Sequence, residues 1–300
     1  MSQPITKAIV PAAGLGTRLL PATKSQPKEM LPVARKPAIQ YVVEELIGAD
    51  LNQILLITGR RKRAIENHFD PDPALMSVLE EAGNEDILAE LTQLQTQARF
   101  YYTSQNYPRG LGDAVSYGAD FADGRDCVVA LGDSLIAGAD PASPLRAMML
   151  AHQDLKAAAI VAVERVDPEE THRYGIVSLE PADIPAGVPV PMSDIVEKPP
   201  RGTAPSNLAV AARYTFSPAI FEALTRVTPD RRGEIQLTDA IRLLIRMGLP
   251  VYAFLLPAGH ARYDIGNFES YFRTFIDFAL ADERYGYLVR QYLKAKAYDL

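Results

Sequence analysis

Three observations predict an α/β fold, with a mostly parallel sheet covered by helices on both faces. Short apolar runs of strand length alternate with stretches of helical spacing through the first half of the chain. The first of these runs passes directly into a glycine-containing loop, the arrangement found where an open α/β sheet binds ligands at its carboxyl edge. With 300 residues and 48% apolar content, the chain can bury a sizeable core without disulfides or a structural metal.

The predicted strands of the first half are Lys7–Ala12, Gln53–Thr58, Arg99–Thr103 and Cys127–Leu131. Between them, Ile39–Gly48, entered through Pro37, and Arg61–Phe69 carry apolar residues at helical spacing, so each connection reads as a βαβ crossover. The acidic, Leu-rich segment from Pro71 to Gln97 reads as a helical excursion interrupted at Gly83 and lying outside the sheet. Beyond Lys156 the pattern is less regular. Strands are predicted at Ala158–Val163, Tyr174–Leu179 and Leu208–Phe216, separated by proline-rich loops such as Pro181 to Pro191. Asn267 to Asp277 and Leu288 to Lys296 read as closing helices, whose Tyr and Phe stripe suits a core or a subunit interface.

A net charge of −6 argues against a nucleic-acid partner, so any phosphate ligand must be drawn by local charge. The single cysteine, Cys127, lies in the apolar run CVVAL and reads as a buried thiol in a reducing, cytoplasmic setting. MSQPITK has no apolar signal core, and no run approaches the roughly 18 apolar residues of a membrane span, so neither secretion nor membrane attachment is expected.

The stretch GLGTRLLPATKSQPKEMLP, Gly14 to Pro32, carries the chemistry. Gly14 and Gly16 let the chain turn with bare N–H groups facing a ligand, and Arg18, Lys24 and Lys28 supply the positive charge a polyanion needs. Neither common phosphate motif is present. Leu19 stands where a dinucleotide fingerprint needs its third glycine, and no GxxxxGK[ST] occurs. The string resembles instead the signature of sugar-nucleotide pyrophosphorylases, and in particular that of bacterial UTP–glucose-1-phosphate uridylyltransferases. The resemblance covers nearly the whole chain. It implies a Rossmann-like three-layer α/β/α nucleotidyltransferase fold with a mixed, mostly parallel central sheet. One domain is then expected, with a nucleotide-binding half over about 1–140, a sugar-phosphate half over about 141–266 and C-terminal helices after that.

Site residues follow from the same resemblance. Ala12, Ala13, Gly14, Gly16, Thr17 and Gly110 are implied around the nucleotide, with Gln105 reading the Watson–Crick edge of uracil. An amide carries both donor and acceptor, which suits that edge. Related chains often carry histidine after GLG, whereas this one has Asp113, to which no role is assigned. Asp133, in LGDS at a strand end, is the implied Mg²⁺ ligand, and Asp264 in RYDIG is a direct or water-mediated second ligand. The loop AGHARYDIG departs from the family's shorter, lysine-bearing form, which makes Asp264 the weaker of the two.

In VEKPP, Glu197 is implied to accept from glucose hydroxyls and Lys198 to hold the sugar phosphate. A strand would point these neighbours to opposite faces, so a bend before Pro199 is required if both reach one ligand. Backbone at Gly175 and Val210 is implied near the sugar, with GEIQLTDAI as a helix start beside it and Glu234 as a candidate that could equally serve the helix N-terminus.

No HExxH, GxSxG or CxxC pattern occurs, so nothing points to covalent catalysis. The implied reaction is in-line displacement: the phosphate oxygen of glucose 1-phosphate attacks the α-phosphorus of UTP, forming UDP-glucose as pyrophosphate leaves. Arg18, Lys28, Lys198 and Asp133 are the expected catalytic set, and a homodimer or homotetramer is expected. Three rivals stand beside this reading: a thymidylyltransferase or other sugar-nucleotide pyrophosphorylase, a non-catalytic nucleotide-sugar sensor, and a scaffold without a small ligand.

Overall fold

The computed structural model describes residues 4–180 and 184–297, so residues 181–183, at the start of the proline-rich loop, lie outside the described part. A nine-stranded sheet forms the middle layer. Its strands in chain order are β1 (Lys7–Pro11), β2 (Gln53–Gly59), β3 (Arg99–Gln105), β4 (Cys127–Ala130), β5 (Ala159–Arg165), β6 (Gly175–Leu179), β7 (Pro189–Glu197), β8 (Leu208–Phe216) and β9 (Val251–Leu255). The spatial order is β3-β2-β1-β4-β8-β5-β9-β7-β6.

The four predicted strands of the first half run parallel. β8 enters antiparallel beside β4 and β5, and β7 lies antiparallel to β9 and β6, which makes the sheet mixed. Because side chains alternate along a strand, Ile9, Ile57 and Val129 enter the core on one face while Val10, Leu56 and Val128 enter the core on the other. Both faces of β1, β2 and β4 are therefore apolar, which is why they read as continuous apolar runs, whereas β3 at the sheet edge is only partly buried.

The helix Ala38–Gly48 starts after Pro37, as the sequence predicts. The acidic excursion forms two helices, Pro73–Glu81 and Glu85–Gln97, neither of which buries a residue, with Gly83 between them at φ +67°. The structure adds elements that the sequence pattern did not predict. β7 takes in Pro189 and Pro191, expected in a loop. These prolines pair only with β9, while β6 joins the strand from Met192 onward, so each proline has one edge where its missing N–H costs nothing. A small two-stranded hairpin-like pair, Ser134–Ala137 with Ala261–Asp264, stands above the main sheet next to the end of β4.

One buried ion pair joins these layers. Arg213 of β8, 1% exposed, sends Nε to Glu45 Oε1 at 2.8 Å and Nη2 to Glu45 Oε2 at 2.6 Å, and also donates to the Ser134 carbonyl at 2.9 Å. Burial pushes the Glu45 carboxyl upward against the pull of that guanidinium.

Candidate active site

The loop after β1 is held from below. Ala12 N–H donates to the Ile57 carbonyl at 2.8 Å, and Leu19, fully buried, pins the turn Thr17–Leu19 to the core. Gly16 takes φ +66°, and a Cβ there would stand 3.3 Å from both Lys28 Cβ and Thr23 Cγ2. Glycine is needed on both counts. Gly14 lies 3.7 Å from the tip of Lys28 on the same measure, whereas Thr17 and Arg18 are exposed on the turn.

Lys28 reaches across the cleft floor and pairs with Asp133, which leaves the end of β4 through Leu131 and Gly132. Burial alone would raise the Asp133 carboxyl, but the Lys28 ammonium in contact with it holds it below the ordinary carboxylate range. Behind Lys28, Glu29 (1% exposed) accepts from Lys62 (6% exposed) at 2.8 and 3.0 Å. This second pair anchors the single turn that presents Lys28. Sequence reasoning missed it, because GRRK after β2 has the composition of a solvated loop; the one available signal was an acid, Glu29, set among lysines.

Asp264 faces the same floor. It lies opposite Ser134 in the small strand pair, and Ile265 N–H donates to the Asp133 carbonyl at 3.2 Å. Burial, then the Asp133 charge, pushes its carboxyl above the usual range, while Arg262, Lys28 and Arg18 pull the other way. Two neighbouring carboxylates, one of which raises the other, are a donor set that a hard cation would satisfy. Among the described residues no group of three or more His, Cys, Asp or Glu gathers into a closed metal site. The pair Asp133 and Asp264 therefore fits Mg²⁺, which commonly takes one or two carboxylates and completes its shell with phosphate and water.

The loop after β3 approaches from the other side. Gln105 lies opposite Gly59 in register, and a Cβ on Gly59 would stand 3.1 Å from the Ala13 carbonyl, so the ends of β1, β2 and β3 meet closely. Gln105 Nε2 donates to the Gly110 carbonyl at 3.2 Å and to Asp113 Oδ2 at 2.6 Å. Gly110 sits at φ +98° with the Ile235 carbonyl 2.6 Å from where a Cβ would stand. Hydrogen bonds from Ile235 N–H to Arg109 O (2.7 Å) and Gly112 N–H to Ile235 O (2.8 Å) stitch this loop to the GEIQLTDAI segment.

Glu197 closes β7, and Lys198 adopts φ +41°, which supplies the bend that the sequence required. The Lys198 ammonium lies 3.0 Å from Glu197 Oε1 and the side chain is 59% exposed. Glu197 Oε2 accepts from Thr238 Oγ1 at 3.2 Å. A Cβ on Gly175 would stand 3.3 Å from Glu197 Oε2 and from Val210 Cγ2, so these three positions converge. Beside them, Arg262 pairs with Glu164 at 2.6 Å and lies over the Tyr174 ring, another contact the sequence did not signal. Glu234 lies along the same wall and accepts from Gln236 at 3.0 Å.

One cleft of about 760 Å³ takes in Arg18, Asp133, Gly175, Glu197, Lys198, Val210 and Asp264. Lys28 joins it through Asp133, while Gln105 and Gly110 stand at the neighbouring strand end. No described helix is long and apolar enough to cross a membrane.

A glycine turn, paired acids and cations converge at the carboxyl edge of an α/β sheet, and the chain belongs to the nucleotidyl transferase family, whose model matches residues 7–279. Within it, the chain is 42% identical over 279 residues to the UTP–glucose-1-phosphate uridylyltransferase of Bacillus subtilis (strain 168), covering 93% of this chain and 92% of that one. It is 41% identical to UTP–glucose-1-phosphate uridylyltransferase 1 of Staphylococcus saprophyticus, over 97% of this chain and 98% of the relative. Among solved structures, a UTP-bound UGPase from Acinetobacter baumannii superposes with a TM-score of 0.88 at 36% identity, covering 96% of this chain and 98% of that one. A UDP-glucose pyrophosphorylase complexed with UDP-glucose gives 0.82 at 35%, covering 93% and 100% respectively.

Proposed function

We propose that the chain is a UTP–glucose-1-phosphate uridylyltransferase, transferring the uridylyl group of UTP to α-D-glucose 1-phosphate and releasing UDP-glucose and pyrophosphate. The observation that carries the reading is the single cleft that takes in Arg18, Asp133, Glu197 and Lys198, with Lys28 paired to Asp133. Both substrates are anions, so holding them in line and neutralising their charge is the main task of such a site. Arg18 and Lys28 serve the departing pyrophosphate, Lys198 places the phosphate of glucose 1-phosphate, and Glu197 accepts from sugar hydroxyls beside the backbone of Gly175 and Val210. Ala12, Ala13, Gly14, Gly16, Thr17 and Gly110 line the nucleotide, with Gln105 on the base. Mg²⁺ held by Asp133 and Asp264 would supply further charge neutralisation at the phosphates. The bond broken and the bond formed are of one kind, so the reaction is reversible.

A thymidylyltransferase is the nearest rival, since thymine differs from uracil by one methyl, worth about 1–3 kcal/mol in a pocket. Against it, a Bacillus anthracis structure described as a glucose-1-phosphate thymidylyltransferase shares only 25% identity and a TM-score of 0.68. The phosphate-side and sugar-side charges are all present, which disfavours a non-catalytic sensor, and a polar cleft disfavours a bare scaffold. Burial pushes the Cys127 thiol up to about 12, which suits an inert core residue in a reducing cytoplasm. Exposed Phe272, Ile276, Tyr287, Leu288 and Tyr292 on the helices Phe268–Ala281 and Gly286–Lys296 support self-association as a homodimer or homotetramer. Pyrophosphate release from a panel of nucleoside triphosphates and sugar 1-phosphates, with and without Mg²⁺, tests the assignment. Preference for any pair other than UTP and glucose 1-phosphate overturns it.

A further inference from the structure

We propose that Asp113 sets base choice by locking the orientation of the Gln105 amide, so that only its carbonyl oxygen is free to meet a base. This rests on the reading that Gln105 faces uracil. The two neighbours of the amide, the Gly110 carbonyl at 3.2 Å and the Asp113 carboxylate at 2.6 Å, are both acceptors, and Gln105 Nε2 donates to each. Both amide protons are then committed. Turning the amide by half a circle would put Oε1 against two oxygens at those distances, replacing two hydrogen bonds by two lone-pair contacts.

Gln105 Oε1 has no protein donor among the described residues and, unlike the Ser134 hydroxyl, is not sealed from solvent. An oxygen fixed in that way asks its ligand for a proton. Uracil and thymine offer N3–H; cytosine has a bare ring nitrogen at that position. A neutral glutamine alone would carry no such preference, because it could present its NH₂ group to cytosine as readily as its oxygen to uracil. The carboxylate removes that freedom, and the Gly110 carbonyl alone, at the longer distance, holds it less firmly.

Asp113 is itself well placed for the task. It sits in the first turn of the helix Leu111–Ser116, where backbone N–H groups favour a negative charge. That helix start cannot drift, because the Gly112 N–H is bonded to the Ile235 carbonyl and a Cβ on Gly112 would stand 2.9 Å from that same oxygen. Asp113 acts through Gln105 and is a positioning residue; it need not touch the nucleotide.

The experiment measures kcat/KM for UTP, dTTP and CTP, and equilibrium binding of UTP and CTP without glucose 1-phosphate, on wild type, Asp113→Asn, Asp113→Ala, Gln105→Ala and the Gln105→Ala/Asp113→Asn double variant. Asp113→Asn should lower the UTP/CTP ratio about tenfold, the worth of one net hydrogen bond. The UTP/dTTP ratio and the KM for glucose 1-phosphate should not move. In the Gln105→Ala background, Asp113→Asn should change the UTP/CTP ratio no further. If Asp113→Asn does not fold, Asp113→Ala carries the same expectation. An unchanged UTP/CTP ratio, an equal loss for all three triphosphates, or a shift that persists without Gln105 overturns the proposal. Wild-type enzyme that does not favour UTP over CTP would instead remove the base reading itself, and with it this one.

Discussion

On the side of the cleft proposed for the triphosphate, Lys28 meets Asp133 from more than a hundred residues away in sequence, and the buried pair Glu29–Lys62 stands behind it. On the side proposed for the sugar, Glu197 meets Lys198, its neighbour in the chain, and the ammonium stands mostly in solvent. The first arrangement exists only when β1, β2 and β4 are all in place, so its charges are held by the fold. The second needs little more than the end of β7 and a left-handed residue, Lys198. Buried charges are costly unless fully paired, whereas exposed pairs contribute little to stability. The contrast teaches that similar side chains in one cleft should differ when removed: loss of fold and turnover is expected on the buried side, loss of sugar affinity alone on the exposed one.

The largest expected effect lies in another buried ion pair, between Arg213 and Glu45. Arg213→Ala would leave Glu45 without its partner, and a loss of about 3–5 kcal/mol is expected for breaking such a pair. Denaturant unfolding measures it; a loss under about 1 kcal/mol would mean that the pair is not what holds β8 to the helix Ala38–Gly48. Next comes Asp133→Asn, which keeps size and removes charge. A fall in kcat on the order of 10²-fold or more is expected, comparable with loss of a principal electrostatic stabiliser. Activity close to wild type at saturating Mg²⁺ would remove Asp133 from the metal.

Lys198→Ala sharpens the comparison from the exposed side. A rise of about tenfold in KM for glucose 1-phosphate is expected, from the loss of one charge-assisted hydrogen bond, with UTP binding unchanged and stability within about 0.5 kcal/mol of wild type. If UTP affinity falls as far as in Arg18→Ala, the phosphates have been divided wrongly between the two sides. The smallest effect concerns acid. Burial would raise the Asp194 carboxyl, but hydrogen bonds from Arg242, at 2.7 Å to Oδ1, and from the Ile195 N–H hold it below the usual range. A carboxyl depressed in the folded state contributes stability above its unfolded value, about pH 4, and loses it as pH falls through the folded one. Arg242→Ala should therefore shift the acid unfolding midpoint slightly upward, and an unchanged midpoint would show the pair to be inconsequential.

Legibility in the sequence followed the same division. β1, β2 and β4 could be read because strands buried on both faces are continuous apolar runs, whereas Glu197 and Lys198 stood out only through the resemblance of VEKPP to the family motif. β7 was hidden by Pro189 and Pro191, whose tolerance depends on which edge of the strand has a neighbour, a fact of sheet order. Lys62 was hidden for a related reason: its partner Glu29 is supplied by another turn, and composition alone cannot tell a buried lysine from a solvated one. Asp113 stood out only as a departure from the histidine common after GLG, because the role proposed for it passes through the orientation of a second side chain.

The Arg213–Glu45 contact also limits how this sequence can change over time. Substituting either partner first leaves a buried charge uncompensated, at a cost of about 3–5 kcal/mol, a large part of the 5–15 kcal/mol by which a native protein typically exceeds its unfolded state. An apolar pair of matched volume at the same two positions could be as stable, yet both single-step intermediates on the way to it fall toward the threshold of folding. The two positions are therefore tied across 168 residues of chain, and descendants should keep both residues or have exchanged both together.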